Sequence, residues 1–525
     1  MTDLKKEQLL AKSRKRKRLF LALGIILSLI IWLLTNWQIT FFIMLLGFII
    51  NESYFSDHIF YSPKQDYSYN LAGQQFEAQI TDNQLKIDCA AFKDFLADKT
   101  ANTTILLAVK IKANLLGYLF DPYLKLVSDA EEFENHLHHN KQNSAGKQKL
   151  DQQYFEKGLN GLRIINLTGQ NPCNLKIFSH FCRITAVGKL YVSNNPNLQD
   201  KRILIIAPHA DDAEIAAFSV YHDNPHNTHI ITISQGEIEA DYYASKFKID
   251  RQAASQIKGQ LRCFDSVFAA ALHKVNPANC IQLGYFCLRL QDMHANPVKA
   301  FTSLESGDND IRLARQFNGL FADFFAKDFT DQNSRFNDAS KTLKTDLKTN
   351  LAAQLPSNKD GICSWNNLIA DLVFLMEQIK PQVIITPHPE FDAHPDHIYS
   401  TYALKKAVEI ANYQADFYLL YANHLHHHDL LPLGKAGFGT PLPPAFSSRD
   451  TEHFYCLEVN RSKQINKTLS LLLMHDLQKT VRIKTLLRRA LQILFTNRRW
   501  NYLFHDEYLR KAVRQHEIFW LRKDL

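Results

Sequence analysis

The sequence predicts an α/β domain on a mostly parallel sheet, set behind an amino-terminal membrane anchor and a β-sandwich-like domain. A basic helical tail is expected to follow. Three observations predict this order. Between residues 202 and 421, short apolar runs alternate with amphipathic segments, the pattern of parallel strands joined by crossover helices. Residues 67–197 hold only short apolar runs bounded by Gly, Asn and Pro, with no helical period. Two apolar stretches, 19–34 and 39–50, stand directly behind a basic cluster, K-S-R-K-R-K-R at 12–18.

Composition bounds the reading. The chain has 525 residues, 46% of them hydrophobic and 11% aromatic, enough for several cores and too apolar for a disordered chain. With 18 Gly and 17 Pro, collagen-like and low-complexity classes are excluded. The net charge of +8 is concentrated near the two ends, which points to a membrane surface and away from nucleic acid. None of the eight cysteines forms a Cys-x-x-Cys pair, so they read as buried, reduced thiols, and this favours a reducing compartment.

The elements follow in order. No small-x-small cleavage site follows residue 34, so 1–60 reads as an uncleaved anchor. It is either one long transmembrane helix or two short helices turning at Asn36, with the basic end inside. The hairpin returns the chain to the cytoplasm, which places the protein at the inner membrane with its catalytic domain on the cytoplasmic face. Residues 61–198 form the β-rich domain. The polar stretch 128–151, with His136, His138 and His139, reads as a loop, and 193–200 as a linker. In 199–475, strands are expected at 202–207, 228–234, 381–386 and 416–421. Helices are expected at 213–221, 249–263, 365–379 and 395–412, and 330–360 reads as a polar surface insertion. Residues 476–525 are a basic helical tail whose cations and leucines interleave at 479–499. That tail suits an anionic lipid surface as well as ordinary packing.

Two clusters carry chemistry. Pro208-His209-Ala210-Asp211-Asp212-Ala213-Glu214 follows the strand at 202–207. Pro387-His388-Pro389-Glu390-Phe391-Asp392-Ala393-His394-Pro395-Asp396-His397 follows the strand at 381–386. Both sit where ligands bind in open α/β sheets, at the carboxyl ends of strands. A catalytic zinc takes three His or carboxylate ligands and keeps one position open. His209 and Asp212 can reach one ion, and His397 or His394 can supply a third ligand. Of the adjacent acids Asp211 and Asp212, one can hold the metal while the other takes a proton from water. Asp211-Asp212 taken alone equally suits a helix N-terminus. The run at His424, His426, His427 and His428 reads as ordinary loop histidines.

With these motifs, residues 201–424 resemble the PIG-L/LmbE-like zinc-dependent de-N-acetylases, whose fold is Rossmann-like. F-D-P-Y at 120–123 and Y-F-E-K-G-L-N-G-L-R at 154–163 resemble the accessory β-domain of membrane-linked bacterial members that act on lipopolysaccharide core sugars. The resemblance implies that His209, Asp212 and His397 hold Zn2+ or another divalent metal. It implies Asp211 as general base, and His394, oriented by Asp396, as electrophile or proton donor. Arg251 matches a sugar-touching position. Asp392 stands where some members carry a Tyr that supports the oxyanion.

The expected activity is a hydrolase that removes acetyl from an N-acetylated amino sugar of a glycan or glycolipid. The alternatives are a zinc amidase or esterase acting on a small conjugate, and a non-catalytic glycan-binding membrane protein.

Overall fold

In the computed structural model the described residues are 3–34, 36–55, 62–97, 103–129, 148–318, 351–425, 433–446, 451–474 and 507–525. The chain opens with two helices, α1 (Asp3–Leu34) and α2 (Trp37–Phe55). The turn between them is fixed at Asn36, whose side chain accepts a hydrogen bond from the Ile39 N–H at 3.0 Å. The turn splits the apolar stretch in two. At about 1.5 Å per residue the two runs cover about 24 Å and about 18 Å, short of the ~30 Å hydrocarbon core. Among the described residues no helix is long and apolar enough to cross a membrane. The expected transmembrane anchor is corrected on this ground, and with it the inner-membrane location and the bilayer as a partner.

Nine strands follow: β1 (Gln74–Glu77), β2 (Gln79–Thr81), β3 (Gln84–Lys86), β4 (Thr103–Ala113), β5 (Tyr123–Asp129), β6 (Gln148–Tyr154), β7 (Asn160–Asn166), β8 (Lys176–His180) and β9 (Cys182–Asn194). They form a sheet in the order β1-β9-β4-β7 and a second in the order β2-β3-β8-β5-β6. Leu107 and Val109 of the first sheet meet Leu124 and Ile177 of the second in one core, closed by Phe92 of α3 (Cys89–Ala97). The intervening residues Leu106 and Ala108 pack the other way, against Leu420, Phe454 and Trp520 of the following unit. A strand covered on both faces reads as a continuous apolar run, which is why 104–109 lacks alternation. A disulfide joins Cys89 to Cys173, 84 residues apart, so the reading of all cysteines as reduced is corrected for this pair. The other six are free and buried.

The large sheet contains β10 (Ile203–Ala207), β11 (Thr228–Ser234), β12 (Cys280–Tyr285), β13 (Val383–Pro387), β14 (Phe417–Tyr421), β15 (His453–Glu458) and β16 (His516–Arg522). Its order is β12-β11-β10-β13-β14-β16-β15. β10 to β14 pair in parallel, whereas β16 runs antiparallel to both of its neighbours, so the sheet is mixed. Its helices are α4 (Asp212–Ala216), α5 (Phe218–Asp223), α6 (Asp241–Phe247), α7 (Arg251–Leu272), α8 (Leu290–Ala295), α9 (Trp365–Ile379), α10 (Pro395–Ile410), α11 (Arg461–Leu473) and α12 (Glu507–Ala512). Ile203 and Ile205 of β10 pair with Val383 and Ile385 of β13, so the loops leaving these strands lie side by side.

The expected helical tail is also corrected. The chain ends in β16, with Phe519 and Trp520 buried, because alternate apolar residues there serve two cores. The basic stretch 479–499, most of 330–360, His426 to His428, and His136, His138 and His139 lie outside the described residues.

Candidate metal centre and active site

Three adjacent parallel strands deliver the site. β10 ends in Pro208-His209, and the next turn opens α4 at Asp212. β13 leads to His394, whose side chain caps α10 by accepting from the Asp396 N–H at 3.2 Å. β14 leads to Asn423 and His424.

His209, Asp212 and His397 converge. His209 Nδ1 lies 3.2 Å from Asp212 Oδ2, His397 Nε2 lies 3.1 Å from the same oxygen, and the two nitrogens are 3.3 Å apart. Ligand atoms bound at 2.0–2.1 Å to a tetrahedral ion stand about 3.3 Å from one another. The three atoms therefore have the spacing of one face of such a coordination shell.

The far nitrogens explain why the near ones present lone pairs. His209 Nε2 lies 3.2 Å from Asp396 Oδ2, which also accepts from the Leu288 N–H at 2.7 Å. His397 Nδ1 lies 2.9 Å from Asp392 Oδ2. A carboxylate on the far nitrogen assigns the proton there and leaves the near nitrogen as a donor to a metal. Asp212 is fixed in turn: Oδ2 accepts from the His209 N–H and Oδ1 from Asn423 Nδ2. All three carboxylates are buried. Burial opposes charge on His397, yet the fields of Asp212 and Asp392 push its pKa up to about 10. A pocket that draws positive charge onto a buried imidazole also favours a cation. The donor set thus fits a divalent ion.

Asp396 therefore orients His209 through its carboxylate, whereas it meets His394 only through its backbone N–H. His394 stacks edge-on to His209, with ring centroids 4.8 Å apart. Burial and the neighbouring His209 and His397 lower its pKa to about 3, so at neutral pH it is an uncharged donor through Nε2. His394 and His424 each group with members of the triangle closely enough to share an ion.

Asp211 stands outside the triangle. Its Oδ1 accepts from Arg262 Nη2 at 3.0 Å and its Oδ2 from Tyr508 O–H at 3.1 Å. Arg262 reaches it past Gly236, whose φ is +65° and where a Cβ would fall 2.5 Å from the Arg262 Nε. Arg251 begins the same helix about three turns earlier. It is exposed and bound to Glu305 at 2.7 Å, so it is not brought to the cluster. Glu214 is buried beneath the site, and burial pushes its pKa up to about 8, which makes it a neutral acid.

Sequence reasoning missed Asp392, Arg262, Tyr508 and His424 as members of the site. Asp392 had a signal, because it stands inside the second motif at hydrogen-bonding reach of His397. Replacing Asp392 by Ala is expected to lower metal affinity about 10- to 100-fold, the usual loss when a partner on a ligand's far nitrogen is removed. Competition with a chromophoric chelator measures it, and an unchanged affinity would contradict the orientation argument.

Such a centre, two imidazoles and a carboxylate beside a second carboxylate, can activate water for hydrolysis. Residues 204–408 form a PIG-L family domain, matched by the family model described as PIG-L: GlcNAc-PI de-N-acetylase. Members of that family are deacetylases. No curated protein matches the chain.

Proposed function

We propose that the protein hydrolyses the acetamide of an N-acetylated amino sugar in a glycan, giving acetate and the free amine. The observation that carries this reading is the three-atom triangle of His209, Asp212 and His397 inside a PIG-L family domain, with Asp211 next to it. Zinc held by that triangle would polarise the acetamide carbonyl and acidify water.

The chain's own groups do the rest. Asp211, with one bond to each carboxylate oxygen, keeps a lone pair to accept the proton of the attacking water. His394 Nε2–H donates to the oxygen that gains charge as the carbonyl becomes tetrahedral. The proton taken by Asp211 then passes to the nitrogen as the C–N bond breaks. One water is consumed, and the acetyl group leaves as acetate.

The β-domain packed against β14, β15 and β16 supports a glycan over a small conjugate, since a small substrate needs no second module. Acetate release measured on GlcNAc-phosphatidylinositol, N-acetylglucosamine oligosaccharides, lipopolysaccharide core and an N-acetylated small thiol conjugate tests this. The expected result is release from at least one of the glycan substrates and none from the thiol conjugate. Release from the thiol conjugate alone would overturn the glycan assignment. No release from any substrate by zinc-loaded protein would overturn the deacetylase reading.

A further inference from the structure

We propose that Tyr508, which lies a hundred residues beyond the family-matched segment, is a positioning residue for Asp211. The inference rests on the deacetylase reading and assigns part of that site to the carboxyl-terminal segment.

A carboxylate on a short helix-opening turn can rotate about its terminal torsion, and only one range of angles keeps an oxygen aimed at a water near the triangle. Two donors remove that freedom. Arg262 Nη2 holds Oδ1 at 3.0 Å, and the phenol of Tyr508 holds Oδ2 at 3.1 Å. A bidentate arginine would occupy both oxygens from one side. Splitting the task between two donors from α7 and α12 fixes the plane of the carboxylate.

Tyr508 is itself held from several directions. Its ring packs beside Ile215 on the cluster of Ala269, Leu471, Met474, Ala512 and Val513. Arg510 Nη1 donates to Gly434 O at 3.1 Å, and Arg514 Nη2 to Gly439 O at 2.8 Å. β16, which follows α12, is inserted between β14 and β15. The last segment of the chain is thus tied into the sheet that carries the site, and Tyr508 is the residue through which it touches the base.

The test compares Tyr508→Phe, Tyr508→Ala, Asp211→Asn and the double variant Asp211→Asn/Tyr508→Phe in the full chain. The readouts are acetate release from N-acetylglucosamine oligosaccharide, zinc content and Tm. Tyr508→Phe keeps the ring and should keep Tm and zinc content. Its kcat should fall about 10- to 30-fold, with KM changed by less than about twofold. In the Asp211→Asn background the same change should cost less than about twofold, because a lost interaction cannot be lost again. A purely structural tyrosine would give the opposite pattern, with Phe restoring what Ala loses. Wild-type turnover in Tyr508→Phe, or multiplying effects in the double variant, would overturn the inference while the deacetylase reading stands. A wild-type protein that releases no acetate would overturn that reading and the role of Tyr508 with it.

Discussion

Asp211→Asn is expected to reduce acetate release by about 10²- to 10⁴-fold, the range for removing a positioned base. The zinc content should stay at the wild-type level. Both halves of the expectation come from where the carboxylate points. Asp211 contributes no atom to the triangle, since its oxygens are taken by Arg262 and Tyr508. The amide keeps the volume and one acceptor oxygen but cannot take a proton from water at neutral pH. Asp212, one residue on, differs in kind: it shares one oxygen with His209 and His397 and is almost wholly inaccessible. Asp212→Asn should therefore lose metal, whereas Asp211→Asn should not. Metal analysis after dialysis, beside the rate of acetate release, separates the two. Undiminished turnover in Asp211→Asn would end its assignment as base.

The neighbouring acids also show what could be read from sequence and what could not. Strand ends and helix starts were legible because burial writes them in composition: 365–379 is apolar at helical spacing and is helix α9 in the structure. The two motifs were legible as a pair because each follows an apolar run. Their closeness depends on β10 and β13 being neighbours, an adjacency no local pattern encodes. Arg262 was hidden for a simpler reason. The arginine at the start of its helix looked equally suited to a site, and only the packing past Gly236 decides which of the two reaches Asp211. Tyr508 lay behind a basic stretch that resembled a surface helix, with nothing to announce that the following residues enter the sheet. The amino-terminal hairpin misled in the opposite sense. Hydropathy counts apolar residues, but Asn36 closes a turn between them, and each leg is then judged by its own length.

His397→Ala is the second change expected to be severe, and its effect should appear in both metal content and stability. His397 is the only one of the three convergent side chains that touches two carboxylates, Asp212 at 3.1 Å through Nε2 and Asp392 at 2.9 Å through Nδ1. Its removal takes one of three ligands from the ion, so zinc should be lost on dialysis against a weak chelator. It also strips the partner from two carboxylates that are themselves buried. Asp392 keeps the N–H groups of His394, Asn423 and His424, and Asp212 keeps those of His209 and Asn423. Such bonds soften the loss without neutralising the charge. Breaking one side of a buried ion pair costs about 3–5 kcal/mol, and the retained N–H bonds place this variant at the lower end. A control separates the two effects. His394→Ala leaves the triangle of His209, Asp212 and His397 and both far-nitrogen carboxylates in place, so it should retain zinc and lose turnover. Denaturant unfolding with zinc present and with zinc removed reads the comparison. Wild-type zinc content in His397→Ala would show that the ion is held by another set, with His394 or His424 completing it.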